Sequence, residues 1–144
     1  MFFIVPIEFG TPEFDAAVRL RYEVLRRPLG LDYTAEQLAE EYDQLHLAAF
    51  ERSGALIAYL NLTPKDERDV KMRQVAVAPD WQGRGVGQAL VRHSENLARE
   101  RGFLRMMLHA RETAVPFYEK LDYRRKGERF EEVTIPHFYM EKML

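Results

Sequence analysis

Three glycines at alternate positions carry the clearest chemical signal in this chain. Gly83, Gly85 and Gly87 lie between a β-branched stretch, residues 70–77, and a run of apolar residues at helical spacing that ends near Arg101. Glycine lets the backbone approach a ligand closely, and the first N–H groups of a helix favour negative charge because they have no internal partner. The stretch therefore predicts a strand, a turn and a helix that together cradle a phosphate.

The loop fails two common phosphate-binding motifs and fits a third pattern. A P-loop needs Lys and then Ser or Thr after its last glycine, where this chain has Gln88 and Ala89, and the dinucleotide motif needs glycine at position 88. The pattern present is Q-x-x-G-x-G, spelled by Gln82, Gly83, Arg84, Gly85, Val86 and Gly87. This resembles the pyrophosphate-binding signature of the GNAT family of N-acetyltransferases.

The resemblance implies a cofactor and the residues that hold it. In that family the loop amides bind the pyrophosphate of acetyl-CoA, so residues 82–87 are the expected cofactor loop, and Arg84 adds a side chain that could pair with a phosphate. Backbone contacts are expected from Val75, Ala76 and Val77, and the Val77 N–H is the expected donor that polarises the acetyl carbonyl.

A second segment also resembles the family. Residues 114–123, AVPFYEKLDY, are similar to its A-x-x-F-Y-x-x-x-G-[FY] pattern, with Asp122 in place of glycine. The match implies that Phe117 and Tyr118 contact the cofactor and that Tyr118 protonates the leaving thiolate. Arg111 stands where many members carry an asparagine that binds the pantetheine arm. Two interpretations of Arg111 stay open: it meets a cofactor phosphate or an acidic group of the substrate, or it is a solvated surface arginine.

The proton acceptor is the open question of the site. His137 can titrate near neutrality and follows Pro136, although a histidine bonded within a sheet would look the same. Glu41, in the segment expected to wall the acceptor pocket, is a second candidate, and Glu132 has similar standing. The remaining histidines read as structural, and no side-chain spacing suggests a metal site.

The tail extends the resemblance to the whole chain. Its G-E-x-F-x-E-x-x-I-P-H-x-x-M pattern, residues 127–140, is similar to the ending of the ElaA/YjcF-like subgroup of acetyltransferases. The subgroup's fold implies that the strands at 70–77 and 103–109 are parallel neighbours that splay apart to admit the pantetheine arm.

Hydrophobic periodicity supplies the elements that must position these residues. Their order is β-α-α-β-β-β-α-β-α-β-β, which predicts an α+β fold, an α/β/α sandwich of about four helices on a mixed, mostly antiparallel sheet. Helix starts are predicted at Thr11-Pro12 and at Thr34, with Gln37 closing a capping box. The predicted strands cover residues 2–9, 45–51, 55–63, 70–77, 103–109, 123–130 and 135–142.

Composition sets the outer limits. The 144 residues, with 47% hydrophobic and 31% charged side chains, predict one domain over 1–144. A net charge of −2 gives no general attraction to nucleic acid or to an anionic membrane, and the lack of cysteine leaves no thiol nucleophile. The apolar start lacks a basic leader, so a cytoplasmic protein is expected.

The sequence thus predicts an acetyl-CoA-dependent N-acetyltransferase that needs no metal and transfers directly to a primary amine in a ternary complex. The acceptor is a small-molecule or protein amine, and acidic residues near 25–43 hint that it is cationic. A homodimer is possible through an exposed final strand. Two alternatives stay open: an acyl-CoA-binding or sensing module without turnover, and a nucleotide-phosphate binder of another fold.

Overall fold

The computed structural model describes residues 1–144 and contains eight strands and four α-helices, in the predicted order except for one additional short strand. The first helix runs on as a π turn over Tyr22–Arg26 and a 3-10 turn over Arg27–Leu29. None of the helices is long and apolar enough to cross a membrane. The elements are β1 (Phe2–Ile7), α1 (Pro12–Arg21), α2 (Ala35–Ala39), β2 (Leu45–Glu51), β3 (Leu56–Pro64), β4 (Asp69–Val77), α3 (Val86–Glu100), β5 (Arg105–Arg111), α4 (Val115–Glu119), β6 (Arg124–Arg125), β7 (Phe130–Glu132) and β8 (Ile135–Met143).

One sheet of spatial order β1-β2-β3-β4-β5-β8-β6 organises the chain, and β7 also pairs with β8. Every pairing is antiparallel except β4 with β5. Side chains alternate between the two faces of a strand. On one face Leu47 and Leu60 belong to the core beneath α3 and α4. On the other face the His46 ring makes an edge-on contact with the Phe14 ring of α1, with the ring centroids 5.1 Å apart. Helices therefore cover both faces, and the predicted sandwich with a mostly antiparallel sheet is confirmed.

The splay between the central parallel strands is visible in the pairing. β4 and β5 pair only over Asp69–Lys71 with Arg105–Met107, and the ladder then stops. The pair is fastened at its closed end, where Arg105 donates to both carboxylate oxygens of Asp69 at 3.0 and 2.6 Å. Beyond the ladder β4 carries a bulge, where Gln74 adopts a left-handed φ of 59° and the register with β3 shifts. Because a bulge bends its strand, it turns β4 away from β5.

Local start signals proved reliable, and one predicted strand was wrong. The Thr11 hydroxyl caps α1, and Thr34 and Gln37 form the predicted capping box of α2. The strand predicted over 123–130 is instead two short strands, β6 and β7, that both pair with β8. Gly127 lies between them with φ of 81°, a left-handed conformation that interrupts an extended chain.

Candidate active site

A cavity of about 170 Å³ occupies the gap between the splayed strands. Residues 72–75 of β4 form one wall and residues 108–111 of β5 the other. The π turn after α1, the start of α4 and the β7–β8 hairpin close the remaining sides. The other lining residues are Leu25, Arg26, Ala114, Tyr118, Glu132, Val133 and His137. We call this space the central cavity.

A second groove of about 300 Å³ runs from the glycine loop to the same place. We call it the loop groove. It shares Val75, Ala114 and Tyr118 with the central cavity. Its other lining residues are Val24, Val77, Trp81, Gln82, Gly83, Gly87 and Phe117. Two molecules, one in each space, would therefore meet beside Tyr118.

The glycine loop presents backbone to the groove. Gly83 and Gly85 have left-handed φ values of 74° and 85°, and Gly85 is the N-cap of α3, with no side chain capping the helix. No acidic residue lies in the first turn, so the orphan amides of α3 remain available to an anion. At Gly87 an added Cβ would lie 3.4 Å from Phe117 Cζ and 3.5 Å from Val77 Cγ2, so this position also has little room for a side chain.

The side chains of three predicted loop residues are already engaged within the protein. Gln82 Nε2 donates to the Val77 carbonyl at 3.0 Å and ties the loop to the end of β4. Val86 is buried in the core, so only its backbone can serve a ligand. The Arg84 guanidinium lies 4.0 Å from the Trp81 ring centroid and donates to the Asp80 carbonyl at 3.3 Å. The Arg84 side chain thus already has contacts within the loop.

The backbone at the end of β4 points into the gap. The Ala78 N–H donates to the Ile57 carbonyl at 2.8 Å, so Ala78 and Ile57 form a hydrogen-bonded pair of the antiparallel ladder. The next pair, Ala58 with Val77, is therefore a non-hydrogen-bonded pair, in which the two amide N–H groups point away from each other. The Val77 N–H faces the side where β5 has splayed away. Ala76, by contrast, is buried opposite Tyr59 on β3.

Tyr118 lies at the junction of the two spaces with its ring fixed by its neighbours. It is 7% exposed and makes edge-on contacts with Phe117 and Tyr123, with ring centroids 5.0 and 5.7 Å away. No protein hydrogen bond uses its hydroxyl, and burial raises the pKa of this phenol above its ordinary value. Tyr118 therefore stays protonated across the neutral range and can donate to a ligand.

A histidine–carboxylate cluster borders the central cavity. His137 Nδ1 lies 2.9 Å from the Ile135 carbonyl, which fixes the proton on Nδ1 and leaves Nε2 as the acceptor, 3.7 Å from Glu132. His109 Nδ1 bonds the same carboxylate at 2.9 Å. Burial would raise the pKa of Glu132, but the hydrogen bond from His109 and the surrounding positive charges hold that pKa below its ordinary value. An ionised carboxylate therefore lies beside His137.

Sequence reasoning missed two residues of this site. His109 was read as structural, although it lies two positions from Arg111 and so on the same face of β5. Tyr33 precedes the helix start predicted at Thr34 and received no role, yet its hydroxyl donates to Gln74 Oε1 at 2.6 Å and braces the bulge of β4. The alternation along β5 could have revealed His109, whereas no local signal points to Tyr33.

Glu41 has a structural role in place of the predicted catalytic one. It is 4% exposed, and both of its oxygens accept from Arg21 at 2.7 Å, with Arg21 itself fully buried. It lines neither the central cavity nor the loop groove. Because this carboxylate is buried in a two-point ion pair and lines neither space, we leave Glu41 out of the proposed reaction.

Arg111 lines the central cavity and not the loop groove. Its Nη2 donates to the Leu25 carbonyl at 2.9 Å, which joins β5 to the π turn after α1. From that turn Arg26 also reaches the cavity, with its guanidinium 4.5 Å from the Tyr33 ring centroid. The early segment thus contributes Leu25 and Arg26 to the cavity, and none of the acidic residues that hinted at a cationic acceptor.

Comparison with known proteins agrees with this geometry. A family model described as an acetyltransferase (GNAT) domain matches residues 23–144. Glucosamine 6-phosphate N-acetyltransferase of Trypanosoma brucei brucei is 34% identical over 71 residues, which cover 46% of this chain and 48% of that protein. The part of the chain that matches two Bacillus subtilis relatives spans about half of the length of each.

Solved structures resemble the whole fold. Escherichia coli ElaA superposes with a TM-score of 0.82 at 21% identity, covering 99% of both chains. An acyl-CoA N-acyltransferase from Pseudomonas aeruginosa gives a TM-score of 0.82 at 23% identity, again covering 99% of both chains. At this identity the likeness concerns the fold.

Proposed function

The chain belongs to the GNAT acetyltransferase family, and from that premise we propose that it transfers an acetyl group from acetyl-CoA to a primary amine while both are bound. The observation that carries the proposal is the junction at Tyr118. There the loop groove and the central cavity meet between splayed strands, so a thioester and an amine can be brought into contact. Holding two reactants in a productive geometry supplies much of the acceleration in such a reaction.

The backbone amides of the glycine loop make the loop groove suitable for the diphosphate of coenzyme A. Residues 83–88 offer amides that no side chain caps, and the glycines leave room for diphosphate oxygens. Val77 and Phe117 would flank the pantetheine arm, because both line the groove beyond the loop. When bound, acetyl-CoA supplies an acetyl group activated as a thioester.

The β4 amides are the groups that polarise the acetyl carbonyl. The Val77 N–H faces the gap. Val75, two residues earlier, lies in the irregular stretch of β4 that has no register partner on β3, and we propose that its N–H also faces the gap. Val75 lines both spaces and Val77 only the loop groove. We therefore propose that the Val75 N–H, in place of the predicted Val77 N–H, binds the acetyl carbonyl, and that Val77 binds the adjoining amide portion of the cofactor. Such a fixed donor stabilises the oxyanion that forms during acyl transfer.

His137 is the proposed proton acceptor for the attacking amine, directly or through one water. Its Nε2 is the free nitrogen, and the imidazolium that forms would lie beside the Glu132 carboxylate. Tyr118 is the proposed donor to the leaving thiolate. A phenol with an ordinary pKa of about 10 is a weak acid for a thiol of about 8.5, so its effect on rate is modest.

The first test is binding, measured as thermal stabilisation by acetyl-CoA, coenzyme A, ATP and NAD in parallel. A ligand at about a hundred times its dissociation constant adds roughly 2.7 kcal/mol of stability. We expect a shift with acetyl-CoA and coenzyme A alone. An equal shift with ATP or NAD would support the nucleotide-phosphate alternative, and no shift with any ligand would refute the cradle.

The second test is turnover of an amine panel, followed as release of free coenzyme A. Lines that intersect in two-substrate kinetics would support direct transfer, whereas parallel lines would refute it. His137→Ala and Tyr118→Phe should lower kcat, whereas the exposed residues changed in His93→Ala and Tyr42→Phe should leave it unchanged. Tight cofactor binding with no turnover of any amine would favour the non-catalytic acyl-CoA-binding module.

A further inference from the structure

We propose that the acceptor is a compact primary amine that also carries a carboxylate or phosphate group. This inference rests on the proposed function, since it names the substrate class of the same site. The charged lining of the central cavity carries the argument. It includes Arg26, Arg73 and Arg111 but only one carboxylate, Glu132. That carboxylate already bonds His109.

The three cavity arginines lack the counter-charges that the protein provides for its other shielded arginines. Arg21, fully buried, has Glu41 at 2.7 Å, and Arg105 has Asp69 at 2.6 Å. No carboxylate oxygen comes within 4.0 Å of any guanidinium nitrogen of the three cavity arginines, although all three are partly buried.

Chain composition does not explain this excess, because the whole molecule carries a net charge of −2. Burial is the main cause that lowers the pKa of Arg111; the charge of Arg26 adds to this effect, and Tyr33 and Glu132 oppose it. Guanidinium groups pair with carboxylate and phosphate through two parallel hydrogen bonds. An oxyanion on the substrate would supply the missing charge.

The register between β5 and β8 sets the spacing between the oxyanion and the amine. Arg111 lies directly opposite His137, and residues opposite each other in an antiparallel pair project from the same face. The oxyanion held by Arg111 and the amine that gives its proton to His137 therefore belong a few bonds apart. A cavity of about 170 Å³ has room for such a compact molecule.

Arg26 is positioned to share this oxyanion. Its guanidinium lies against the Tyr33 ring, 4.5 Å from the centroid. Stacking occupies the flat face of a guanidinium and leaves its N–H edges for other partners. The Tyr33 hydroxyl is in turn fixed to Gln74 of the bulge. The same aromatic ring thus braces β4 and positions Arg26.

The arginines could instead serve the phosphates of coenzyme A, but their placement argues against it. None of the three lines the loop groove, and the glycine loop does not line the central cavity. The two spaces touch only through Val75, Ala114 and Tyr118. A diphosphate seated on the loop would be on the other side of that junction.

The experiment uses pairs of amines that differ only in the oxyanion: phosphoethanolamine with ethanolamine, and β-alanine with β-alaninamide. Putrescine serves as the dicationic comparison. Each is assayed with acetyl-CoA for coenzyme A release, and each is also titrated by calorimetry into protein saturated with coenzyme A. We expect at least one oxyanion member to exceed its partner about tenfold or more in kcat/KM or in affinity, as one charge-assisted pair provides. The two pairs separate phosphate from carboxylate.

Variants then test the assigned residue. Arg111→Gln should lower the affinity for the preferred oxyanion amine about 10- to 100-fold and leave coenzyme A affinity unchanged. Arg92→Gln, on an exposed position of α3, is the matched control and should change neither. Oxyanion binding that depends on Arg111 without turnover would uphold this inference while the proposed catalysis fails.

Four outcomes would overturn the inference. Equal or better use of ethanolamine and β-alaninamide would do so while leaving the acetyltransferase intact, and preference for putrescine would do the same. Loss of coenzyme A binding in Arg111→Gln would assign the arginine to the cofactor. Absence of binding by both oxyanion amines would leave the three arginines without the proposed ligand class.

Discussion

Gly85 and Gly102 offer a matched pair of substitutions that isolates the cradle from the fold. They flank the two ends of α3, and their φ values are 85° and 86°. An added Cβ meets nothing within 4 Å at either position. Gly85→Val and Gly102→Val therefore each place a side chain at nearly the same left-handed φ, with no neighbour within 4 Å of the added Cβ, and only Gly85 borders the proposed phosphate site.

The strain can be sized from the conformation. The left-handed region costs an L residue about 1–2 kcal/mol, with more for a β-branched side chain. At roughly 4 °C per kcal/mol for a domain of this size, both variants should lose about 4–8 °C or somewhat more in Tm. Losing one charged hydrogen bond between a loop amide and the diphosphate costs about 1.5–3 kcal/mol, or roughly 10- to 100-fold in affinity.

Calorimetric titration of coenzyme A into each folded variant is the assay, with circular dichroism and Tm recorded on the same samples. Gly85→Val should weaken coenzyme A by that factor, while Gly102→Val binds like the unaltered protein despite a similar Tm loss. Gly85→Ala, with less strain, serves if the valine variant does not fold. Unchanged affinity in a folded Gly85 variant, or equal weakening at Gly102, would refute the reasoning.

The other predictions concern single side chains. Arg84→Ala should change coenzyme A affinity less than about threefold, since loop amides and not this guanidinium hold the diphosphate; a tenfold loss by calorimetry would contradict this. Glu41→Gln should destabilise the fold by about 3–5 kcal/mol in urea unfolding, because it leaves the charge of Arg21 buried and unpaired. The exposed Glu23→Gln is its control, and a stable but inactive Glu41→Gln protein would restore the catalytic interpretation. Tyr118→Phe should lower kcat by only about 10- to 100-fold with little change in KM; this is at or below the low end of general-acid effects, because the phenol is a weak acid for the thiolate. An unaltered kcat would exclude the donor role. Since the folded pKa of Tyr118 lies above its unfolded value of about 10, its contribution to stability is complete below that pH and is lost as pH rises further. The fall in Tm above pH 10 should therefore be shallower in Tyr118→Phe than in the unaltered protein, and identical slopes would contradict the assignment.

Much of the fold and the cofactor loop could be predicted because the responsible forces act locally. Glycine types and their spacing encode left-handed backbone, as at Gly85, and Thr11 and Thr34 encode helix starts through bonds within one turn. The spacing of the apolar residues predicted the bounds of β2 and α3 closely. The tail prediction failed because Gly127 divides a run that otherwise looks extended, and a single glycine carries too weak a local signal to mark the break.

Tertiary structure alone decided which polar side chains meet. Glu41 was a candidate proton acceptor by sequence, but the fold pairs it with Arg21, and His109 lines the cavity because β4 and β5 pair in parallel. The charge of the acceptor pocket likewise arises from three elements, with Arg26, Arg73 and Arg111 converging from a π turn and two strands. Local preference fixes the conformation of a segment, whereas the charge and shape of a pocket depend on strand register and burial between segments distant in the chain.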